Sequence, residues 1–416
     1  MNAPIETVSV IGLGYVGLPT AAVVASRNVQ VIGVEINESV VERINNGEVH
    51  IVEPDLDMLV QATVAMGRLR ATTTPEKAQV YVIAVPTPFK GDHVPDLSYV
   101  QAAAEKIAPV LDAGALVILE STSPVGTTEQ LVGWLSDARP DLTFPPMSQG
   151  TPDVNVAYCP ERILPGHVLR ELVDNDRIIG GISPQCAERA VEFYRIFMTG
   201  ECLITNARTA ELAKLTENSF RDVNIAFANE LSLISDKLDV DVWDLIGLAN
   251  RHPRVDILRP GPGVGGHCIA VDPWFIVAST PKEARLIRMA RDVNDAKPTY
   301  VVEKAITAAE RFKNPVIACM GLSYKPDIDD LRESPALDIT ETLCDSKVGE
   351  ILVVEPNVDA MPPALADKKN ATFCDAATAI DKADIVVLLV GHRAFKEINR
   401  NTLNQKVVID TQGLFA

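Results

Sequence analysis

A short apolar stretch, Thr7-Val-Ser-Val-Ile11, runs directly into Gly12-Leu-Gly-Tyr-Val-Gly17, followed by Pro19 and alanine-rich residues to Ala25. The pattern is that of a buried strand, a tight turn and the first turns of a helix. Gly12 suits the tight turn, Gly14 the close approach of backbone to a pyrophosphate, and Gly17 close packing of helix on strand. Tyr15 and Val16 complete the turn, and the helix N-terminus favours phosphate charge. A glycine-rich turn by itself is weak, since α/β proteins also use one where nothing binds. Here a second apolar stretch, Gln30-Val-Ile-Gly-Val34, ends on Glu35, eighteen residues after Gly17. An acid there accepts hydrogen bonds from a ribose diol and repels a 2′-phosphate, so the expected cofactor is NAD rather than NADP.

At 416 residues the chain is too long for one ordinary core and should divide into two or three domains. Over the first 200 or so residues, 68–72, 80–85, 115–119 and 154–158 read as parallel strands with polar turns after them. Two of those turns are Pro86-Thr87-Pro88 and Glu120-Ser-Thr-Ser-Pro-Val-Gly-Thr127. Ligands of open parallel sheets lie beyond the carboxyl ends of the strands, which places Thr87 and Thr122 near the cofactor. Outside that context Ser-Thr-Ser-Pro is also an ordinary turn. From Thr205 to about Asp239 there is neither glycine nor proline, and apolar residues recur at helical spacing, so one long helix is predicted. Lys214, Asn218 and Arg221 share a face of it, with Asn224 and Ile225 one turn on. Such a stripe is often merely solvated, but its place between two nucleotide-binding patterns suits the lining of a site. The alternation restarts with 315–321, 350–354, 384–390 and 407–409. The expected fold is α/β: two Rossmann-like, doubly wound parallel-sheet domains joined by a long central helix. The second lacks the full glycine fingerprint and should bind a different nucleotide group. Between its first strand and first helix lie Tyr324, Lys325 and Arg332, a basic group suited to phosphate oxygens. The plain alternative pairs these charges with Asp327, Asp329 and Asp330.

Chemistry is signalled by Gly261-Pro-Gly-Val-Gly-Gly-His-Cys-Ile-Ala-Val-Asp-Pro-Trp-Phe275. Cys268 closes a turn with little side-chain bulk, so a substrate can approach the thiol, and Asp272 is close enough to share its pocket. A zinc site with His267 and Cys268 as ligands is the competing reading. The six histidines, at 50, 93, 167, 252, 267 and 392, supply no second ligand at metal spacing, so no metal is expected. Net charge of −18 argues against a nucleic-acid or anionic-membrane partner. No apolar tract of about 18 residues is present to span a membrane. The N-terminus shows no basic segment followed by a long apolar one, and seven scattered cysteines suggest reduced thiols, so a cytoplasmic location is expected.

Over essentially the whole chain the order of GLGYVGLP, AVPTP, ESTSPVGT, CPER, the helix bearing Lys214 and Asn218, GGHCIAVDP and GLSYKPDIDDLRESP is similar to the UDP-glucose/GDP-mannose dehydrogenase family. Residues 214–225, 250–255 and 260–275 resemble the branch acting on UDP-N-acetyl-D-mannosamine. The resemblance implies three segments: an NAD-binding domain over 1–200, a central helical, dimerising and catalytic segment over 201–300, and a UDP-sugar-binding domain over 301–416. It implies oxidation of C6 from alcohol to carboxylate with two NAD, Cys268 carrying first a thiohemiacetal and then a thioester. Lys214 and Asn218 would stabilise the oxyanion, Asp272 would activate the hydrolytic water, and Glu161 and Thr122 would hold that water or the alcohol. Around the sugar it places Arg162, Ile163, Lys214, Asn218, Arg221, His252, Arg254 and Gly265; near the UDP, Tyr324 and Lys325; at the cofactor, Arg332. Gln412 stands where similar proteins carry a basic residue, and Glu35 where Asp is commoner. A catalytically silent NAD-binding scaffold is the other alternative, and the intact set of Lys214, Asn218, Cys268 and Asp272 argues against it.

Overall fold

The computed structural model describes residues 4–415 except 92, 147–150, 165 and 267. The chain divides into two compact units, Met1–Thr216 and Glu217–Ala416. The strands of the first unit are β1 (Thr7–Ile11), β2 (Gln30–Val34), β3 (Leu69–Thr72), β4 (Val80–Ile83), β5 (Phe89–Lys90), β6 (Val94–Pro95), β7 (Leu116–Leu119), β8 (Asn155–Tyr158), β9 (Arg177–Gly181) and β10 (Cys202–Asn206). Eight of them form one sheet in the order β10-β9-β8-β7-β4-β1-β2-β3, while β5 and β6 form a small hairpin. The central strands β4, β7 and β8 are buried throughout, as expected where helices cover both faces of a parallel sheet. Strand order reverses direction between β4 and β1, the switch point at which a doubly wound sheet opens a crevice.

Register brings the ends of these strands into line. Ile11 pairs with Val34 and Ile83, Ile83 with Leu119, and Leu119 with Tyr158. The residues that follow, Gly12, Glu35, Ala84, Glu120 and Cys159, therefore share one carboxyl edge. Among the described strands of this sheet the one antiparallel pairing is β8 with β9, Tyr158 facing Gly180; β10 runs parallel to β9.

Strands β9 and β10 do not stand out in the sequence, and they correct one boundary. Thr205 and Asn206 belong to β10, paired with Gly180 and Gly181, so the long helix spans Ala207–Leu238 rather than starting at Thr205. The side chain of Asn206 accepts from the Thr209 N–H at 2.9 Å, a helix cap that fixes the start.

The 32-residue helix leads from the first unit into the second. There, helices Val242–Ala249, Asp272–Ser279 and Arg285–Ala309 precede a parallel sheet of β11 (Val316–Met320), β12 (Glu350–Val354), β13 (Ala371–Phe373), β14 (Ile385–Leu388) and β15 (Val407–Asp410), ordered β13-β12-β11-β14-β15. Its own switch point lies between β11 and β14. The protein is thus two Rossmann-like units joined by a long helix. Among the described residues no helix is long and apolar enough to cross a membrane.

Candidate functional site

The three glycines of the first turn have three different reasons. Gly12 has φ +90°, and a Cβ on it would lie 2.6 Å from the Ala84 carbonyl oxygen. A Cβ on Gly17 would lie 1.9 Å from the Gly12 oxygen, whereas Gly14 faces open space. Close packing thus demands Gly12 and Gly17, while Gly14 leaves the backbone bare for a phosphate. No side chain caps the helix Gly17–Ala25 behind them, so its first N–H groups and dipole suit an anion. Glu35 is half-buried; its Oε2 accepts from the Leu13 N–H at 3.2 Å and its Oε1 from the Asn37 N–H at 3.1 Å. The carboxylate is pinned beside the turn, with lone pairs left for a ribose diol. Gly12, Gly14, Tyr15, Val16, Gly17 and Glu35 would hold NAD, whose nicotinamide accepts hydride when bound. Thr87 and Thr122 meet on the same edge, the Thr87 hydroxyl donating to the Thr122 carbonyl at 2.7 Å.

Next along this edge lies a buried charge cluster that sequence reading missed apart from Glu161. Arg177 Nη2 donates to Glu161 Oε2 at 2.6 Å and Nη1 to Glu120 Oε1 at 3.1 Å. Tyr194 donates its hydroxyl to the same Glu120 oxygen at 2.7 Å, and its ring lies 4.5 Å from the guanidinium carbon. Glu161 Oε1 accepts from the Arg162 N–H at 2.6 Å. The Arg162 side chain reaches the Asp176 carbonyl at 3.2 Å, and Ile163 packs on the core. Burial pushes Glu120 up to about 7; Arg177 opposes the rise and the neighbouring Glu161 adds to it. Lys214 is buried on the long helix.

In the second unit Cys268 is exposed. Its carbonyl is turned inward, accepting from the N–H groups of Val271 at 3.1 Å and Asp272 at 2.8 Å. Asp272, the first residue of its helix, is 3% exposed and accepts from Asn218 Nδ2 at 2.5 Å. The pair brings together two residues predicted for one pocket, with the second amide hydrogen of Asn218 still available. The glycines before Cys268 answer a constraint that the sequence did not show. A Cβ on Gly265 would lie 2.2 Å from the Glu333 carbonyl oxygen, and one on Gly266, at φ +82°, would lie 2.9 Å from the Tyr324 ring. The turn is bare because the β11 loop packs against it, which also seats Tyr324 beside Gly265. The Gly261 N–H donates to Asn229 Oδ1 at 2.9 Å, and Asn229 donates to Asn294 at 2.8 Å, mooring the start of the turn to two helices. Arg221, His252 and Arg254 are exposed; the Arg254 N–H donates to His252 Nδ1 at 3.3 Å.

The second sheet repeats the nucleotide turn of the first in altered form. Gly321 has φ +91°, and its N–H bonds the Val354 carbonyl at 2.8 Å, as the Gly12 N–H bonds Val34 at 2.8 Å. Glu355 follows β12 as Glu35 follows β2, accepting from the Leu322 and Ser323 N–H groups at 2.7 and 3.1 Å and from the Asn357 N–H at 3.0 Å. Unlike Glu35 it is buried, and its Oε2 also lies 3.1 Å from Nε2 of the fully buried His392. Burial raises the Glu355 carboxyl, but the hydrogen bonds from His392 and the backbone outweigh it and hold it below the usual range. With its oxygens committed inward, Glu355 offers nothing to a ribose. His392 Nδ1 accepts from the Asp327 N–H at 2.9 Å, anchoring the loop that carries Tyr324 and Lys325. The signal was present as Val34-Glu-Ile-Asn37 against Val354-Glu-Pro-Asn357. Arg332 grips Asp330 through Nε at 2.9 Å and Nη2 at 2.7 Å, the plain alternative for this residue. Gln412 donates to the Leu389 carbonyl at 2.8 Å. Among the described residues no three His, Cys, Asp or Glu side chains cluster to hold a metal ion; His267 lies outside them.

Comparison with known proteins converges with this geometry. Three models of the UDP-glucose/GDP-mannose dehydrogenase family match: the NAD binding domain over residues 6–198, the central domain over 208–296 and the UDP binding domain over 318–416. The chain is 61% identical over 411 residues to an NDP-N-acetyl-D-galactosaminuronic acid dehydrogenase of Ralstonia nicotianae, covering 99% of this chain and 96% of that one. It is 59% identical to a UDP-N-acetyl-D-mannosamine dehydrogenase of Escherichia coli, covering 98% and 99%. The structure of UDP-D-ManNAc dehydrogenase from Pyrococcus horikoshii superposes with a TM-score of 0.87 at 38% identity, covering 98% of this chain and 96% of that one. With both nucleotide turns, an exposed cysteine beside a buried acid and matches along nearly its full length, the chain belongs to the UDP-glucose/GDP-mannose dehydrogenase family and is an NAD-dependent nucleotide-sugar dehydrogenase.

Proposed function

We propose that this enzyme oxidises C6 of UDP-N-acetyl-D-mannosamine to the carboxylate in two two-electron steps. The observation that carries this reading is the exposed Cys268 just before the helix whose first residue, Asp272, is buried and bonded to Asn218. Thr122 and Glu161 hold the C6 alcohol while it is oxidised to aldehyde. The Cys268 thiolate adds to that aldehyde, giving a thiohemiacetal whose oxidation leaves a thioester. Lys214 and Asn218 donate to the oxyanion, each such donor being worth roughly 3 kcal/mol in the transition state. Asp272 takes a proton from the water that cleaves the thioester, releasing carboxylate and thiol. Arg162, Ile163, Arg221, His252, Arg254 and Gly265 surround the sugar, Tyr324 and Lys325 engage the UDP, and Arg332 is assigned to the cofactor. The product serves cell-surface polysaccharide synthesis from the cytoplasm.

Cys268→Ser tests this directly, because a hydroxyl is the poorer nucleophile and its ester hydrolyses far more slowly. The variant should bind NAD with wild-type affinity and form no uronate. Uronate formation at a near-normal rate would remove the thioester from the mechanism. A galactosamine epimer is the second reading, favoured by the name of the relative at 61% identity. Initial rates on UDP-ManNAc, UDP-GalNAc, UDP-GlcNAc and UDP-glucose separate the two.

The enzyme works as a homodimer. Phe220, Phe227, Ile234 and Leu238 recur at helical spacing along the long helix and are 68%, 48%, 46% and 66% exposed, a stripe that a second copy would cover.

A further inference from the structure

Arg177 opens β9, the one strand that reverses direction against its neighbour β8. That reversal has a local consequence. Because Tyr158 faces Gly180, the start of β9 lies just beyond the carboxyl end of β8, beside Glu161. A parallel β9 would carry Arg177 to the opposite edge of the sheet. The arginine is 4% exposed and is shared by two buried carboxylates, with the shorter contact, 2.6 Å, to Glu161. The other contact, to Glu120, belongs to a carboxyl whose Oε2 makes no hydrogen bond among the described residues. The groups facing Glu120 are Thr20 on the first helix, Tyr194, Cys159, Arg177 and Glu161. One guanidinium is shared by two carboxyls in a dry place, and burial raises the more deeply buried Glu120 toward its neutral form. That turns the arginine's charge toward Glu161, the shorter contact.

We propose that Arg177 is the positioning residue that fixes the Glu161 carboxylate for the reaction, with Glu120 and Tyr194 holding the other half of its guanidinium. This rests on the role given to Glu161 above. A planar fork reaches two carboxylates at once; a lysine presents a point charge and cannot.

Steady-state kinetics of the full-length enzyme test it. Glu161→Gln should lower kcat by about a hundredfold, as loss of a proton-handling group does. Arg177→Lys should lower kcat about tenfold with KM for NAD and for the UDP-sugar changed less than about threefold, since the arginine acts through Glu161. Adding Arg177→Lys to Glu161→Gln should cost nothing further. Glu120→Gln, which fixes that side chain in a neutral form and leaves the lysine to Glu161 alone, should restore Arg177→Lys to within about threefold of wild-type kcat. That double variant keeps the buried charge count balanced, so it remains readable if the single lysine variant fails to fold. A wild-type kcat for Arg177→Lys beside an impaired Glu161→Gln would overturn the positioning role alone. So would losses that multiply in the double variant, or an absence of rescue. A wild-type kcat for Glu161→Gln would overturn the role of Glu161 and this inference with it.

Discussion

Cys268 is exposed, and its main chain is held: the N–H groups of Val271 and Asp272 at the start of the following helix tie down its carbonyl. Glu35 is the corresponding case on the cofactor side, pinned by Leu13 and Asn37 yet half exposed. Glu35→Ala should raise KM for NAD tenfold or more, the value of about 1.5–3 kcal/mol for a hydrogen bond to a charged group, while leaving KM for the sugar unchanged. An unchanged KM for NAD would remove Glu35 from the ribose. For Arg254, which is exposed and makes no ion pair with Asp256 among the described residues, Arg254→Ala should raise KM for UDP-ManNAc about tenfold without altering that for NAD. Kinetics equal to wild type would take Arg254 away from the substrate. Residues marked by a short local pattern, such as Gly12, Glu35 and Cys268, stand out in the sequence. Arg177, Tyr194 and His392 do not, because each acts on a partner 16 to 74 positions away through pairings that only the folded sheet creates.

The turn before Cys268 and the loop after β11 form one packed piece, and its glycines serve that packing. Gly265→Ala would drive a Cβ into the Glu333 carbonyl, costing about 1–3 kcal/mol as overpacking does, and displace Tyr324. The expected outcome is a lowered melting temperature with a raised KM for the UDP-sugar; unchanged values of both would contradict the packing account. Glu120 gives a prediction about pH. Its folded value near 7 lies above the ordinary 4.5, so between these limits the folded state binds more protons than the unfolded one. Stability contributed by that proton is present below about 4.5 and is lost as pH rises toward 7. Glu120→Gln should flatten this fall in denaturant midpoints measured at pH 5 and 7.5, and an unchanged slope would mean that Glu120 is ionised throughout. Core strands such as β4 and β7 were readable as apolar runs, whereas edge strand β10 is largely exposed and offers no alternation. The helix start was misplaced for the same reason, although Asn206 carried the capping signal.

At the scale of the molecule, two sheets that repeat one design have diverged at one carboxylate. Glu35 stays half exposed beside its turn, while Glu355 is turned inward onto His392, which also anchors the loop bearing Tyr324 and Lys325. The architecture was legible because strand, turn and helix each leave local marks. The sugar was not, since epimers differ at one carbon and relatives of nearly equal identity carry different sugars in their names. Assembly is tested by Phe220→Asp with Phe227→Asp, which should halve the mass seen by sedimentation at micromolar concentration; a wild-type protein sedimenting as a lone 45.0 kDa species would refute the dimer. The central claim is that one active centre carries a sugar through two oxidations without releasing the aldehyde. Titrating excess NAD and enzyme with limiting UDP-ManNAc and following absorbance to completion counts the hydrides directly. Two NADH per sugar is the result this account predicts, and one NADH per sugar would contradict it.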